Sequence, residues 1–161
     1  MKVTSIARNV RMSPKKVREV TRQIQGMPIA DAQAVLSAIP RKSARLVAKT
    51  LKTAIADAEH IRSEWSEGDV QNRVAEIRQD IENHTKEDGK LHRKYRHLPG
   101  KLARLESYID SDHKLAEEKL TVQEAIVGAA TPLRRWKTRA RGGGSPIIKR
   151  TSHIRITLSD D

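Results

Sequence analysis

From Ala125 to Ser159 the chain carries no Asp or Glu, yet holds eight Lys/Arg in 35 residues: Arg134, Arg135, Lys137, Arg139, Arg141, Lys149, Arg150 and Arg155. Gly142-Gly143-Gly144 falls near the middle. Between Thr131 and Arg150 the apolar residues are mainly Leu133, Trp136, Ala140, Ile147 and Ile148, too few to bury anything of their own. A like-charged, Gly-tipped segment of this kind repels itself until a polyanion neutralises it. Nucleic acid is the commonest such partner, because each neutralised phosphate releases counterions. The expected form is an arm over about 131–150, ordered by the nucleic acid around it.

The 161 residues leave room for one domain with a core, or for a small domain plus an appendage. The net charge of +12 makes a polyanionic partner the default expectation, and the charge is unevenly placed. Residues 61–118 hold eleven Lys/Arg against thirteen Asp/Glu, whereas the other 103 residues hold 21 against 7. The middle is thus a different kind of protein from the ends. The absence of Cys excludes disulfides and thiolate metal sites. No apolar run approaches the ~18–20 residues that span a bilayer, so no membrane partner is expected. The basic N-terminus lacks the apolar segment of a secretory signal, and a helix start at Ser13 argues against a transit peptide.

Lys2–Arg11 mixes Val3, Thr4, Ile6 and Val10 with polar residues and reads as a strand. Ser13-Pro14 is an N-cap followed by Pro at the first helical position, and Gly26 is a stop. Val17, Val20 and Ile24 give that first helix one apolar face. A second is expected from about Ile29 to Ala38, and a third from about Arg41 to His60. In the third, Ala44, Val47, Ala48, Leu51, Ala54, Ile55 and Ala58 form a wide stripe at 3–4 spacing. Within 61–118, Val70, Val74, Ile77 and Ile81 repeat at 4-3-4, as do Leu98, Leu102, Leu105 and Ile109. With Asp88-Gly89 and Pro99-Gly100 breaking the pattern between them, an inserted antiparallel helical hairpin is expected. Its turn region is basic through Lys90, Arg93, Lys94, Arg96 and Lys101; contact with RNA, contact with a protein and simple solvation are all open to it. Leu120, Val122 and Ile126 precede the arm and Ile154, Ile156 and Leu158 follow it, so the arm is the far end of a long hairpin. Pro132 and Pro146 imply interrupted pairing within it.

Helix one opens Ser13-Pro14-Lys15-Lys16, with lysines at the end where the macrodipole favours acids. A phosphate seated at the free N–H groups would make them favourable. Arg8 and Arg11 come just before, and Arg18 and Arg22 continue from Lys15 at 3–4 spacing. Arg41, Arg45, Lys49 and Lys52, spaced 4-4-3, repeat the design on helix three. A lone basic stripe is usually just a solvated face; two of them plus an acid-free arm favour a coordinated phosphate-binding surface. Trp136 can stack on a base or pack against the arm's own backbone. His153 reads as a hydrogen-bonded structural histidine. Asp110-Ser111-Asp112-His113 reads as a charged face, no metal or other cofactor is expected, and no P-loop, dinucleotide fingerprint or nucleophile elbow is present. Nothing points to an enzyme or to a small-molecule substrate.

Four blocks resemble one family. Residues 7–18 (Ala7 to Arg18) resemble the opening of the universal large-subunit ribosomal protein L-twenty-two, and 54–60 the end of its long helix. Arg139-Ala140-Arg141-Gly142 resembles its hairpin tip, and residues 149–154 its final strand. The blocks stand in the family's order and cover about 1–60 and 119–161. The resemblance implies an α+β domain with three helices on a small antiparallel three-stranded sheet. It also implies binding to large-subunit ribosomal RNA beside neighbouring ribosomal proteins, and a long hairpin lining the nascent-peptide exit tunnel. It places the chain on a cytoplasmic ribosome, with an organellar one also open. The RNA-binding residues it implies are Arg8, Arg11, Lys15, Lys16 and Arg18, then Arg134 to Arg141, then Lys149 and Arg150. The tunnel tip would be Arg139, Ala140, Arg141, Gly142, Gly143, Gly144 and Ser145. Two features depart from the family: residues 61–118 stand where a short loop is usual, and the tip is Gly-rich where the family is basic and bulky. The rival reading is a free-standing basic nucleic-acid-binding regulator.

Overall fold

The computed structural model describes residues 1–65, 67–85, 91–111 and 115–160. Strands β1 (Lys2–Val10), β2 (Thr121–Thr138) and β3 (Gly144–Ser159) form one antiparallel sheet in the order β1-β3-β2. The fold is α+β, as the sequence patterns indicate. Alternation along β3 buries Ile154, Ile156 and Leu158 completely and leaves Arg155 exposed. Helices α1 (Pro14–Ile24) and α3 (Lys42–Glu64) pack on the sheet, α1 mainly over β2 and α3 over β1 and β3. Helix α2 (Ile29–Ala38) packs beside α3. Val17, Val20, Ile24, Ala32, Leu36, Val47 and Leu51 form the core with Val3 and Val122. Burying each such Val, Leu or Ile stabilises by about 1.5–3 kcal/mol. Gly26, at φ +82, takes the left-handed conformation that ends α1, and its N–H donates to the Val122 carbonyl at 2.7 Å. The chain between α1 and α2 is thereby tied to the start of β2.

Helix α3 does not stop at His60 but continues to Glu64, with the Trp65 N–H bonded to the Ile61 carbonyl at 2.9 Å. Ile61, half-buried against the core, gives this extra turn something to pack on. Helices α4 (Glu67–His84) and α5 (Leu98–Ile109) then pack on each other, held across their outer faces by Arg78 to Glu106 at 2.7 Å. Val70, Val74 and Ile77 of α4 are buried as the 4-3-4 seam requires. On α5 the seam differs from the sequence pattern: Leu98, Leu105 and Tyr108 are buried, Leu102 is half-buried, and Ile109 is 38% exposed. Trp65 is the reason, since its ring meets Tyr108 edge-on at 5.2 Å and its carbonyl accepts from the Tyr108 hydroxyl at 3.3 Å. Pro99-Gly100 lies inside the first turn of α5, where Pro needs no N–H partner, and does not separate the two helices. The Asp88-Gly89 turn lies outside the described residues.

Below the hairpin the chain ends meet. The Asp160 carboxylate accepts from the Met1 ammonium through one oxygen and from the Leu115 N–H, at 3.0 Å, through the other. Burial alone would push this carboxyl up, but the bonds from the Met1 ammonium, Leu115 and Ser111 outweigh it and hold the group below its ordinary value. Burial also pushes the Tyr108 phenol up, against the lowering effect of Arg62.

Candidate nucleic-acid interface

A β-bulge shapes the edge from which the first cations project. Ala7 pairs with Ile154 and Val10 with Ser152, so β1 carries one residue more than β3 over that span. Asn9 absorbs the extra residue at φ +53, a conformation Asn tolerates, and its N–H donates to Nδ1 of His153 at 3.2 Å. His153 is thus a structural acceptor, as its strand position suggests. The bulge turns Arg8 and Arg11 to the surface, where both are exposed.

Both basic helices begin unguarded. Ser13 holds the N-cap position of α1 but its side chain makes no capping bond, and the first turn has no acid. Arg41 holds the same place on α3, again without a capping bond or a first-turn acid. At the start of α1 Pro14 has no N–H and the Lys16 N–H bonds to the Ser13 carbonyl at 3.1 Å, which leaves the Lys15 N–H. At the start of α3 the Ala44 N–H bonds to the Arg41 carbonyl at 3.0 Å, and the positive end of the dipole remains at both. Such a terminus accepts an oxyanion.

Every expected RNA-binding residue is exposed: Arg8, Arg11, Lys15, Lys16, Arg18, Arg22, Arg41, Arg45, Lys49, Lys52, Arg134, Arg135, Trp136, Lys137, Arg139, Arg141, Lys149 and Arg150. Arg11 and Lys49 come together along a groove between β1 and α3 that also includes Ile6, Val10 and Leu46. The guanidinium of Arg18 reaches the Val127 carbonyl at 3.4 Å, on β2 at the opposite edge of the sheet. Arg41 is the exception to a free cationic face, since Glu19 of α1 holds it at 2.5 Å. Both partners are about half exposed, so the pair is weak and yields readily to a phosphate. Lys42, which stands outside the 4-4-3 spacing, lines the same groove between α2 and α3 as Arg41, Arg45, Lys49 and Lys52. Its adjacency to Arg41 is the only sequence signal for it.

The arm is a two-stranded ribbon. Pairing runs from Leu133 opposite Lys149 to Thr138 opposite Gly144, with one irregularity between Ala130 and Leu133. Pro132 falls at that irregularity, as expected. Pro146 does not interrupt pairing; it stands in register with Trp136. Beyond Ser152, the last partner of β1, the outer side of β3 is a free edge, where Pro is tolerated. The register places Arg135, Lys137 and Lys149 on one face, and Arg134 with Trp136 on the other. Trp136 is 70% exposed while one edge of its indole lies over Gly144, so it both touches the arm's backbone and offers a ring to a partner. At the tip the Arg139 N–H bonds to the Gly143 carbonyl at 2.8 Å and its Nε to Ser145 Oγ at 2.9 Å. Arg141, at φ +57, and Gly142, at φ +68, turn the chain between the strands. Cations on both faces suit an arm surrounded by anions better than one lying on a flat surface.

No group of three or more His, Asp or Glu among the described residues could hold a metal ion. Asp112 and His113 of the acidic cluster lie outside the described residues. No helix is long and apolar enough to cross a membrane among the described residues.

These features define a class: a small basic α+β scaffold carrying an extended ribbon. The family model described as Ribosomal protein L22p/L17e matches residues 5–78 and 81–159. The Large ribosomal subunit protein uL22 of Opitutus terrae (strain DSM 11246 / JCM 15787 / PB90-1) is 33% identical over 160 residues, covering 99% of this chain and 96% of that relative. The chain belongs to the Ribosomal protein L22p/L17e family, a family of structural ribosomal proteins and not of enzymes. The family match takes in residues 61–118 apart from 79 and 80.

Proposed function

We propose that this chain is a structural constituent of the large ribosomal subunit. It binds ribosomal RNA, supports subunit assembly and lines the nascent-peptide exit tunnel with its hairpin. The observation that carries this reading is the arm: an exposed ribbon with cations on both faces and no carboxylate from Ala125 to Ser159. The globular body contributes Arg8, Arg11, Lys15, Lys16, Arg18 and Arg22, with Arg45, Lys49 and Lys52 on α3, all open to phosphates. Residues Arg139 to Ser145 form the tunnel-facing tip, where a growing peptide passes the Arg141 side chain. Neighbouring large-subunit proteins are further partners, and the ribosome of the cytoplasm is the site of action. Residues 1–60 and 119–161 act as the RNA-binding unit and 61–118 as an appended hairpin.

Sucrose-gradient fractionation of a lysate tests the assignment. The protein is expected to sediment with large subunits and to leave almost no free pool. A stable pool off ribosomes, binding short duplex DNA at physiological salt, would favour a free regulator instead. A photo-crosslinker at Arg141 in translating ribosomes is expected to capture nascent chains; capture of none by fully incorporated protein would remove the tunnel role.

A further inference from the structure

The far end of the α4–α5 hairpin carries its own cationic cluster, separate from the body and the arm. From Leu91 to Leu105 the sequence has no acid and five Lys/Arg, whereas the stem on either side is acid-rich. Arg104 is held at the base of the hairpin, its guanidinium 5.9 Å from the ring centre of Trp65. That leaves Arg93, Lys94, Arg96 and Lys101 at the end, all exposed, with the Lys94 ammonium 5.7 Å from the centre of the Tyr95 ring within the cluster itself.

The stem and the end treat their cations differently. Arg73 pairs with Glu76 at 2.6 Å and Arg78 with Glu106 at 2.7 Å. None of the four end cations has a carboxylate partner among the described residues. The adjoining segment 86–90 has no net charge in its sequence, with Lys86 and Lys90 against Glu87 and Asp88. The cluster is also framed. A single 3-10 turn, Arg93–Tyr95, presents it, with the Lys94 N–H on Nδ1 of His92 at 3.4 Å and the Lys94 carbonyl 3.1 Å from Nδ1 of His97. The His84 ring covers Tyr95 at 3.8 Å, so this aromatic braces the turn instead of offering a free face to a base.

We propose that the end of this hairpin is a second RNA-binding site, holding the phosphate backbone of a structured RNA through Arg93, Lys94, Arg96 and Lys101. The proposal rests on the reading of the chain as a ribosomal RNA-binding protein. Two observations favour RNA over an acidic protein surface. Protein interfaces depend on a desolvated apolar centre, and the large exposed apolar residues (Ile6, Ile109, Ile126, Trp136 and Ile148) all lie elsewhere. Phosphate contacts need no such centre. The acid-rich stem also repels RNA along its length and confines contact to the end. Helix α4, at 1.5 Å per residue, carries that end about 25 Å from Glu67. Contact there would add a second anchor to the one made by the body, raising affinity through effective concentration.

The absence of Cys allows single labelling sites. A side chain added at Gly100, in the first turn of α5, meets nothing within 4 Å. Gly100→Cys, with Ala140→Cys on the arm as comparison, would each carry a tethered iron chelate in reconstituted large subunits for hydroxyl-radical cleavage of the RNA. The expected result is RNA cuts from Gly100→Cys at positions distinct from those of Ala140→Cys. Adding Arg93→Gln, Lys94→Gln, Arg96→Gln and Lys101→Gln should weaken the former by roughly fivefold or more and leave the latter unchanged. Cuts from the arm with none from the hairpin end, or hairpin cuts indifferent to the four substitutions, would overturn the proposal and leave the ribosomal reading standing. Crosslinking of the hairpin end to protein alone would overturn it in favour of a protein partner. Failure of every labelled protein to enter subunits would instead refute the ribosomal reading on which it rests.

Discussion

The indole of Trp136 lies across the backbone of Gly144, so close that a methyl group at Gly144 would come within 2.8 Å of Cε2. The two residues close the arm from opposite strands, next to the pair formed by Thr138 and Gly144. Gly144→Ala must therefore displace the ring. Because Trp136 is 70% exposed, the ring has solvent to move into, and global stability should change by less than about 0.5 kcal/mol. The Trp136 indole N–H resonance should nevertheless shift clearly. An unchanged resonance would mean that the ring does not rest there in solution.

Asp160 makes the fold acid-sensitive in a defined direction. Its carboxyl is held below the ordinary value, so the charged form favours the folded state. That stabilisation is fully present above the unfolded value of about 3.9 and is lost as pH falls through the lower folded value. Denaturant titrations between pH 7 and pH 2 should show the loss below about pH 4. Asp160→Asn should cost about 3 kcal/mol at neutral pH, as expected when one partner of a buried pair is removed, and should flatten that part of the profile. An Asp160→Asn protein as stable as the parent at pH 7 would show that the Met1 and Leu115 bonds contribute nothing.

The inserted hairpin should be removable if the cut respects its base. Helices α4 and α5 pack chiefly on each other, and Trp65 and Tyr108 lie in contact where the hairpin leaves the body. Replacing residues 67–110 by a short polar linker keeps Leu115 in place to bond Asp160. One cooperative thermal transition should remain, with the helical signal reduced by the two helices lost. Unfolding of the remainder would mean that the hairpin seam and the main core are one cooperative unit.

The body was largely legible in the sequence because its signals are local. Ser13-Pro14 and Gly26 bracket α1, the 3–4 stripe of α3 faces the sheet, and Ile154, Ile156 and Leu158 alternate inward. What escaped depended on contacts distant in the chain. Tyr108 displaces Ile109 from the seam because Trp65, 43 residues earlier, offers it an edge and a carbonyl. The Asp160 carboxylate is buried by a partner 159 residues away, which no window of sequence contains. Pro146 pairs without a break because β1 ends before reaching it, a fact of sheet order and not of local composition. In the interface, every expected cation is exposed, but the Glu19–Arg41 pair and the part played by Lys42 needed the packing of α1 and α2 against α3.

The arm should be dispensable to the free protein. Its apolar side chains bury little, with Trp136 70% and Ile148 59% exposed, so they offset little of the ~1–2 kcal/mol per residue of backbone ordering. Replacing Arg135–Ile147 by a short turn should leave the thermal midpoint within a few degrees and still allow entry into subunits, with altered drug or peptide passage through the tunnel. A collapse of the fold would show that the ribbon braces the sheet.

The most direct test of the whole account is the salt dependence of binding to large-subunit ribosomal RNA, measured for the parent chain and for Lys15→Glu with Lys16→Glu. If exposed cations neutralise phosphates, log affinity should fall with log salt with a slope of several units, each contact giving about −0.7 to −0.9. The double substitution, at the unguarded start of α1, should weaken binding strongly and make the slope shallower. A flat dependence in the parent chain would contradict phosphate neutralisation as the basis of binding.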